Sequence, residues 1–113
     1  MDLDAWKEAH KFVLMIYNAT KDFPSEEKFG LANQMRWAGV SITSNIAEGF
    51  SRQSRKEKFQ FYSMAKGSVT EIQNQLLIAR DVGYLEGEDF NKLTEQSVKV
   101  AKLINGLMRY CKK

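Results

Sequence analysis

The stretch Tyr62–Gly83, which reads YSMAKGSVTEIQNQLLIARDVG, repeats apolar or small residues at alternating intervals of three and four positions. The repeating positions are Tyr62, Ala65, Val69, Ile72, Leu76, Ala79 and Gly83. This spacing brings them to one face of an α-helix, in the a/d heptad pattern by which helices pack side by side. The stretch therefore predicts a long helix with one buried face.

Three other segments carry the same pattern, and we call each set of repeating positions an apolar seam. These seams consist of Trp6, Ala9, Val13, Ile16, Thr20 and Phe23; of Leu31, Met35, Ala38, Ile42, Asn45 and Gly49; and of Phe90, Leu93, Ser97, Val100, Ile104, Leu107 and Cys111. No stretch of useful length shows the period of two that indicates a strand. The four seams predict an all-α fold.

Turn and capping residues separate the four segments. Pro24 suits the first turn of a helix, so we expect the second helix to begin around Pro24, with Glu26 and Glu27 near its positive end. Ser54 and Glu57 have the spacing of a capping box at the start of the third helix. Glycines mark the remaining boundaries, at Gly49, Gly83 and Gly87. Because all the connections are short, consecutive helices must be antiparallel neighbours. We predict one up-down-up-down antiparallel four-helix bundle spanning residues 1–113.

The composition is that of an ordinary globular domain. The chain has 113 residues, of which 43% are hydrophobic and 27% charged. Its single cysteine, Cys111, cannot form an internal disulfide, and the acidic N-terminus lacks the layout of a signal peptide. No run approaches the ~18 apolar residues of a membrane span. These features favour a cytoplasmic protein with no membrane association.

The residues that would support catalysis are scarce. His10 is the only histidine and has no Glu three positions before it, as the di-metal sites of helical bundles require. There is no phosphate-binding glycine loop. We therefore predict no enzyme, no metal and no cofactor. Polar residues at or near the seams, Asn45, Glu48, Glu71 and Gln75, favour a hydrogen-bonded network that fixes helix register, with a carboxylate pair of Glu48 and Glu71 as the remote catalytic alternative.

The net charge of +3 conceals an uneven distribution between the two ends of the predicted bundle. One end gathers Arg52, Arg55, Lys56, Lys58, Arg109, Lys112 and Lys113 against Asp2, Asp4, Glu48 and Glu57. The opposite end gathers Asp22, Glu26, Glu27, Asp81, Glu86, Glu88 and Asp89 against Lys21, Lys28, Arg80 and Lys92. Cations at the start of the third helix oppose the helix dipole and concentrate positive potential. The basic end is thus either a nucleic-acid contact, formed by Arg52, Arg55, Lys56, Lys58, Arg109 and Lys112, or a solvated charged loop.

The chain also has more apolar residues than one bundle core needs. The surplus residues are Phe12, Tyr17, Phe59, Phe61, Met64, Leu77, Ile78, Val82, Ala101 and Met108. Large exposed apolar patches are uncommon on monomers, so this surplus predicts a homo-oligomer. Gly39 and Gly67 lie inside helices and predict close helix contacts, either within one bundle or between subunits.

Taken together, these residues resemble the bacterial four-helix bundle proteins encoded within intervening sequences of 23S ribosomal RNA genes, and the related accessory variability protein of diversity-generating retroelements. The stretches that carry the resemblance are FPSEE (23–27), FGL (29–31), QMRWA (34–38), SITSNIAEG (41–49), Phe59, FY (61–62), AKGS (65–68), Glu71 and LLIA (76–79). Trp37 departs from the pattern, in which a second basic residue is expected after Arg36.

The resemblance implies an up-down-up-down bundle that assembles as a ring-like homopentamer. It also implies association with RNA or DNA and, as in the retroelement relatives, with a reverse transcriptase. The family has no accepted catalytic residues, and the positions of Asn45, Glu48, Ser68 and Glu71 are then structural. Two hypotheses remain open: a homo-oligomer that binds nucleic acid through the connection between the second and third helices, and a protein-binding scaffold.

Overall fold

A computed structural model describes residues 3–113, and the predicted acid Asp2 lies outside the described residues. Four α-helices account for most of these residues: α1 (Asp4–Thr20), α2 (Leu31–Ser51), α3 (Arg55–Asp81) and α4 (Gly87–Cys111). A short 3-10 turn, Ser25–Glu27, lies between α1 and α2. Residues 3–113 contain no strand, which confirms the all-α prediction.

The four helices form a closed bundle. Each helix packs against its neighbours in sequence, and α4 closes the bundle by packing against α1. The molecule measures 44 × 25 × 21 Å, so its length matches the roughly 40 Å rise of the longest helix, α3. The structure is therefore the predicted antiparallel four-helix bundle.

The apolar seams form the core. Its largest fully buried side chains come from all four helices and are Phe12, Ile16, Met35, Ile42, Ile46, Val69, Ile72, Leu76, Ser97, Val100 and Ile104. Phe12, predicted as surplus to the core, belongs to it. On α2 the buried residue is Ile46, while the seam residue Asn45 is only half-buried. An α-helix turns every 3.6 residues, so a strict heptad drifts by one position over several turns, and here the drift exchanges these two neighbours.

The expected start of the second helix at Pro24 is wrong, because α2 begins at Leu31. Glu27 lies in the preceding 3-10 turn, and its Oε1 accepts a hydrogen bond from the Leu31 amide at 3.2 Å. Its carboxylate therefore stabilises the positive end of α2 from outside the helix. The Tyr84 hydroxyl donates to the other carboxylate oxygen of Glu27 at 2.9 Å, which joins this turn to the connection between α3 and α4.

The two glycines predicted at close helix contacts differ in their surroundings. A Cβ on Gly39 would lie 3.4 Å from Ile16 and 3.5 Å from Val13, so α1 packs closely on α2 at this point. Gly67 is exposed and faces open space. Of these two glycines, only Gly39 lies in a helix contact within the bundle.

Candidate nucleic-acid interface

A chain of hydrogen bonds joins α2 to α3 at mid-height. The Asn45 amide donates to the Ser41 carbonyl at 2.9 Å and to the Ser41 hydroxyl at 3.1 Å. The Ser68 hydroxyl donates to the same Ser41 hydroxyl at 3.0 Å. Glu48 and Glu71 lie outside this chain, because both are exposed to solvent. The structure thus brings Asn45 and Ser68 together through Ser41, which the sequence did not single out for this network.

Arg52, in the connection between α2 and α3, is held by contacts with neighbouring side chains of the same protein. Its guanidinium lies 3.0 Å from the Glu48 carboxylate and 4.0 Å from that of Glu57. It also stacks over the Phe61 ring at 4.7 Å. Two carboxylates beside one guanidinium offset its charge, so Arg52 adds little positive potential for a ligand.

Lys58 acts as a cap for the preceding helix. Its Nζ donates to the backbone oxygens of Phe50 at 2.8 Å and Gly49 at 3.2 Å, in the last turn of α2. The negative end of α2 lies beside the positive start of α3, so a cation that opposes the dipole of α3 offsets that of α2. The cation Lys58, which is unfavourable for the dipole of α3 alone, is therefore explained by its contact with the end of α2.

Arg55 links the start of α3 to the end of α4. Its guanidinium donates to the backbone oxygen of Lys113 at 2.7 Å and stacks over the Tyr110 ring at 5.2 Å. Lys56, next to it, is exposed and has no hydrogen-bond or ion-pair partner among residues 3–113. The start of α3 therefore contributes one anchored and one solvated cation.

The remaining predicted cations line a shallow hollow between α3 and α4, which we call the basic hollow. It encloses about 210 Å³ and is lined by Phe59, Lys66, Asn105, Met108, Arg109 and Lys112. Three of these residues are cations and none is an acid. The Lys112 ammonium lies 5.0 Å from the centre of the Phe59 ring, where the ring's negative face attracts it.

Sequence reasoning missed Lys66, although a signal was present. Lys66 follows Phe59 by seven residues, which is two helical turns, so both lie on the same face of α3. The antiparallel α4 then places Arg109 and Lys112 opposite that face. The predicted basic residues therefore separate into two groups. At the α2–α3 connection, Arg52, Arg55 and Lys58 are bonded within the protein and Lys56 is solvated. In the basic hollow, Arg109 and Lys112 remain open to a ligand.

The opposite end of the bundle has the reverse charge. A hollow of about 360 Å³ between α1 and α4 is lined there by Asp22, Glu86 and Asp89, with Lys92 as its only cation. Acids at the start of α4 stabilise its positive end, so part of this charge serves the helix itself. The sequence assigned the four charged lining residues to this end of the bundle.

Two perturbed side chains lie away from the basic hollow and have structural causes. A hydrogen bond from Gln96 at 3.0 Å, aided by Lys99 at 3.3 Å, lowers the pKa of Glu8, which joins α1 to α4. Burial raises the pKa of Tyr62, and the nearby Cys111 thiol adds to this effect. Neither Glu8 nor Tyr62 lines the basic hollow. The charged groups of the hollow are Lys66, Arg109 and Lys112.

No group of metal-ligating side chains comes together within residues 3–113. His10 is exposed and stacks on Trp6 with ring centres 4.9 Å apart. None of the helices in the described part of the chain has the length and apolar character needed to cross a membrane.

The fold has a counterpart among solved structures. A crystal structure of a protein with unknown function from the S23 ribosomal protein family of Bacteroides thetaiotaomicron superposes with a TM-score of 0.85. The match covers 92% of this chain and 97% of the other, at 22% sequence identity, which establishes a shared fold. No curated protein shows a significant sequence match.

The sequence itself matches a family model. The model is that of the 23S rRNA-intervening sequence protein, and the match runs over residues 1–106. Neither this description nor that of the similar crystal structure names an enzymatic activity. The match covers nearly the whole bundle, including all of α1, α2 and α3 and most of α4. The chain therefore belongs to the 23S rRNA-intervening sequence protein family.

Proposed function

We propose that this protein is a non-enzymatic homo-oligomer that binds nucleic acid, RNA or DNA, through the basic hollow. The observation that carries the proposal is a hollow in which three cations, Lys66, Arg109 and Lys112, converge with no carboxylate among the lining residues. A polyanion is the partner that such a surface attracts most strongly. The family's description refers to 23S rRNA, which agrees with a nucleic-acid partner.

The intramolecular contacts of the basic end indicate how the cations divide their roles. Arg52 is paired with carboxylates and Lys58 caps α2, so both hold the α2–α3 connection in place. Arg55 holds the end of α4 beside the start of α3. These contacts keep the walls of the basic hollow in position, while Lys66, Arg109 and Lys112 meet the phosphates.

The salt dependence of RNA binding tests the proposal. Three phosphate contacts predict that affinity falls with a logarithmic slope between about −2 and about −2.7. Raising salt from about 50 to about 200 mM should then weaken binding roughly 15- to 40-fold. The measurement is the fluorescence anisotropy of a labelled RNA oligonucleotide titrated with the protein at each salt concentration.

Matched charge reversals assign the binding to the hollow. The double variant Lys66→Glu/Arg109→Glu should lose most of the affinity and reduce the salt slope by about 2. The control, Lys21→Glu/Lys92→Glu, changes the net charge by the same amount at the opposite end and should bind nearly as the parent does. Equal binding by the parent and the hollow variant would overturn the proposal.

The proposal of a homo-oligomer is supported by a surface other than the basic hollow. Along the α1–α2 side, the large apolar side chains Leu14, Tyr17, Trp37 and Val40 are exposed. The last three line a hollow of about 360 Å³ together with Asn33 and Arg36. A second copy of the chain is the occupant that would cover this face in a homo-oligomer, and the ring-like homopentamer implied by the resemblance is the form we propose.

A further inference from the structure

The basic hollow contains more than positive charge. Two of its lining residues, Phe59 and Met108, are apolar and half-buried, and we call them its apolar floor. A site that bound phosphate alone would gain nothing from an aromatic ring and a thioether between its cations. An apolar floor inside a ring of cations instead fits a ligand that is flat and apolar at its centre and anionic at its edge.

The Phe59 ring lines the hollow between the two helices, and a cation lies over its face. The Lys112 ammonium is 5.0 Å from the ring centre, and Lys66 stands two turns further along α3. Nucleic-acid bases stack on aromatic rings of this kind, and neighbouring cations contact the phosphates on either side of the stacked base. A base that stacks on Phe59 takes the place of the Lys112 ammonium on the ring face, and the flexible Lys112 side chain can then contact a phosphate.

Asn105 supplies a polar group at the wall of the hollow. Its side-chain amide is half-buried and has no hydrogen-bond partner among residues 3–113. An amide offers both a donor and an acceptor, and this combination matches the hydrogen-bonding edge of a base. Asn105 is thus available to a ligand in a way that the internally bonded Asn45 is not.

We propose that the basic hollow receives a single unstacked base, with Phe59 beneath it and Asn105 at its edge, so that the protein prefers single-stranded over duplex nucleic acid. This inference rests on the proposed function and adds the class of nucleic acid to it. In a duplex the bases are stacked and paired, and their faces cannot reach Phe59 without unpairing. A single strand presents a free base without that cost.

The experiment compares three probes of equal total phosphate count: a single-stranded RNA, an RNA duplex of half its length, and a single strand whose central positions are abasic. The unmodified single strand should bind at least about fivefold more tightly than either of the others, as expected from the stacking of one base. A 2-aminopurine at the central position should lose fluorescence on binding, since stacking on a ring quenches it.

Two variants locate the base. Phe59→Leu keeps the apolar floor but removes the aromatic face, so it should lower single-strand affinity about fivefold while leaving the salt slope unchanged. Asn105→Ala should lower affinity for some bases and not others. The matched control is Phe90→Leu, because Phe90 is also half-buried between α3 and α4 and also has a cation, Arg80, 5.0 Å from its ring centre, but lies at the opposite end. This control should bind as the parent does.

The possible failures are distinguishable. Equal, salt-dependent binding of all three probes by the parent protein would overturn the base-binding hollow and leave nucleic-acid binding intact. Tighter binding of the duplex would do the same. Absence of binding to every probe would overturn the proposed function and this inference with it. Because the probe comparison uses the parent protein, it decides the matter even if a substitution destabilises the bundle.

Discussion

Gly49 and Gly67 show how one residue type serves opposite purposes in neighbouring helices. Gly49 lies within α2 against α3, where a Cβ would come within 2.6 Å of the Tyr62 ring and 3.2 Å of the Phe61 Cβ. Gly67 lies within α3, exposed, with no atom within 4 Å of the position of a Cβ. The first glycine is required for close packing, and the second only reduces the stability of its helix.

Alanine substitutions at these two glycines should therefore change stability in opposite directions. Gly49→Ala should lower the free energy of unfolding by about 1–2 kcal/mol, because overpacking against Tyr62 outweighs the gain in helix propensity. Gly67→Ala should raise it by about 0.5–1 kcal/mol, since only propensity changes. Urea unfolding followed by circular dichroism measures both, and a stabilised Gly49→Ala would show that α2 and α3 can separate without cost.

The identity of a glycine's neighbour cannot be predicted from the pattern along its own helix. The sequence predicted a boundary at Gly49 and a close contact at Gly67, and the structure shows a close contact at Gly49 and open space at Gly67. Both expectations used residues adjacent in sequence. The contact at Gly49 is made by Tyr62, which belongs to the next helix, so it depends on how α2 and α3 are aligned.

At the scale of elements, the α2–α3 connection is a junction of two helix ends with opposite dipoles. The Ser54 hydroxyl accepts a hydrogen bond from the Glu57 amide at 3.1 Å, which confirms the predicted cap at the start of α3. Lys58, one residue further on, contacts the last turn of α2 instead. The junction thus satisfies both helix ends with residues from the first turn of α3.

Removal of the Lys58 cap should destabilise the bundle. Lys58→Met retains most of the aliphatic stem but loses the bonds to the Gly49 and Phe50 carbonyls, so the free energy of unfolding should fall by about 1 kcal/mol. Lys56→Met is the matched control, since Lys56 is exposed two residues away, and it should change stability by less than about 0.5 kcal/mol. Chemical denaturation of both variants at the same ionic strength makes the comparison. If both substitutions lowered the free energy of unfolding equally, the contribution of Lys58 would come from its positive charge and not from its bonds to the end of α2.

The helices could be predicted from sequence with more success than the site, and the reason is physical. Burial along a seam is determined by the 3.6-residue repeat, which requires no knowledge of other helices. The predicted seams of α1, α3 and α4 are accordingly buried along most of their length, although Gly83, beyond the end of α3, is exposed. The hollow depends on which residues of α3 and α4 face one another. Arg109 and Lys112 could be assigned to the basic end, and the spacing of Lys66 from Phe59 places both on one face of α3. That Lys66, Asn105 and Met108 line one hollow with them follows only from the packing of α3 on α4.

At the scale of the whole molecule, the bundle presents three chemically different surfaces. The two ends carry opposite charge and lie up to 44 Å apart, so the protein has a strong charge asymmetry along its axis. The α1–α2 side is apolar in comparison and exposes Trp37 over 72% of its surface. A ring of copies joined through that side would place all the basic ends where one nucleic-acid strand could contact several of them, which would raise the overall affinity through multivalency.

A single substitution tests whether the α1–α2 side joins the copies. Trp37→Lys places a charge in the centre of the exposed apolar face and should convert the oligomer into a chain of 13.0 kDa, because burial of an unpaired ammonium opposes association. Leu77→Lys is the control, since Leu77 is 45% exposed on α3, away from that face, and the same charge should leave the assembly intact. Light scattering coupled to size-exclusion chromatography measures both masses; five times 13.0 kDa is expected for the parent and the control. A monomeric parent would overturn the oligomer itself, whereas loss of assembly only in Leu77→Lys would transfer the interface to α3.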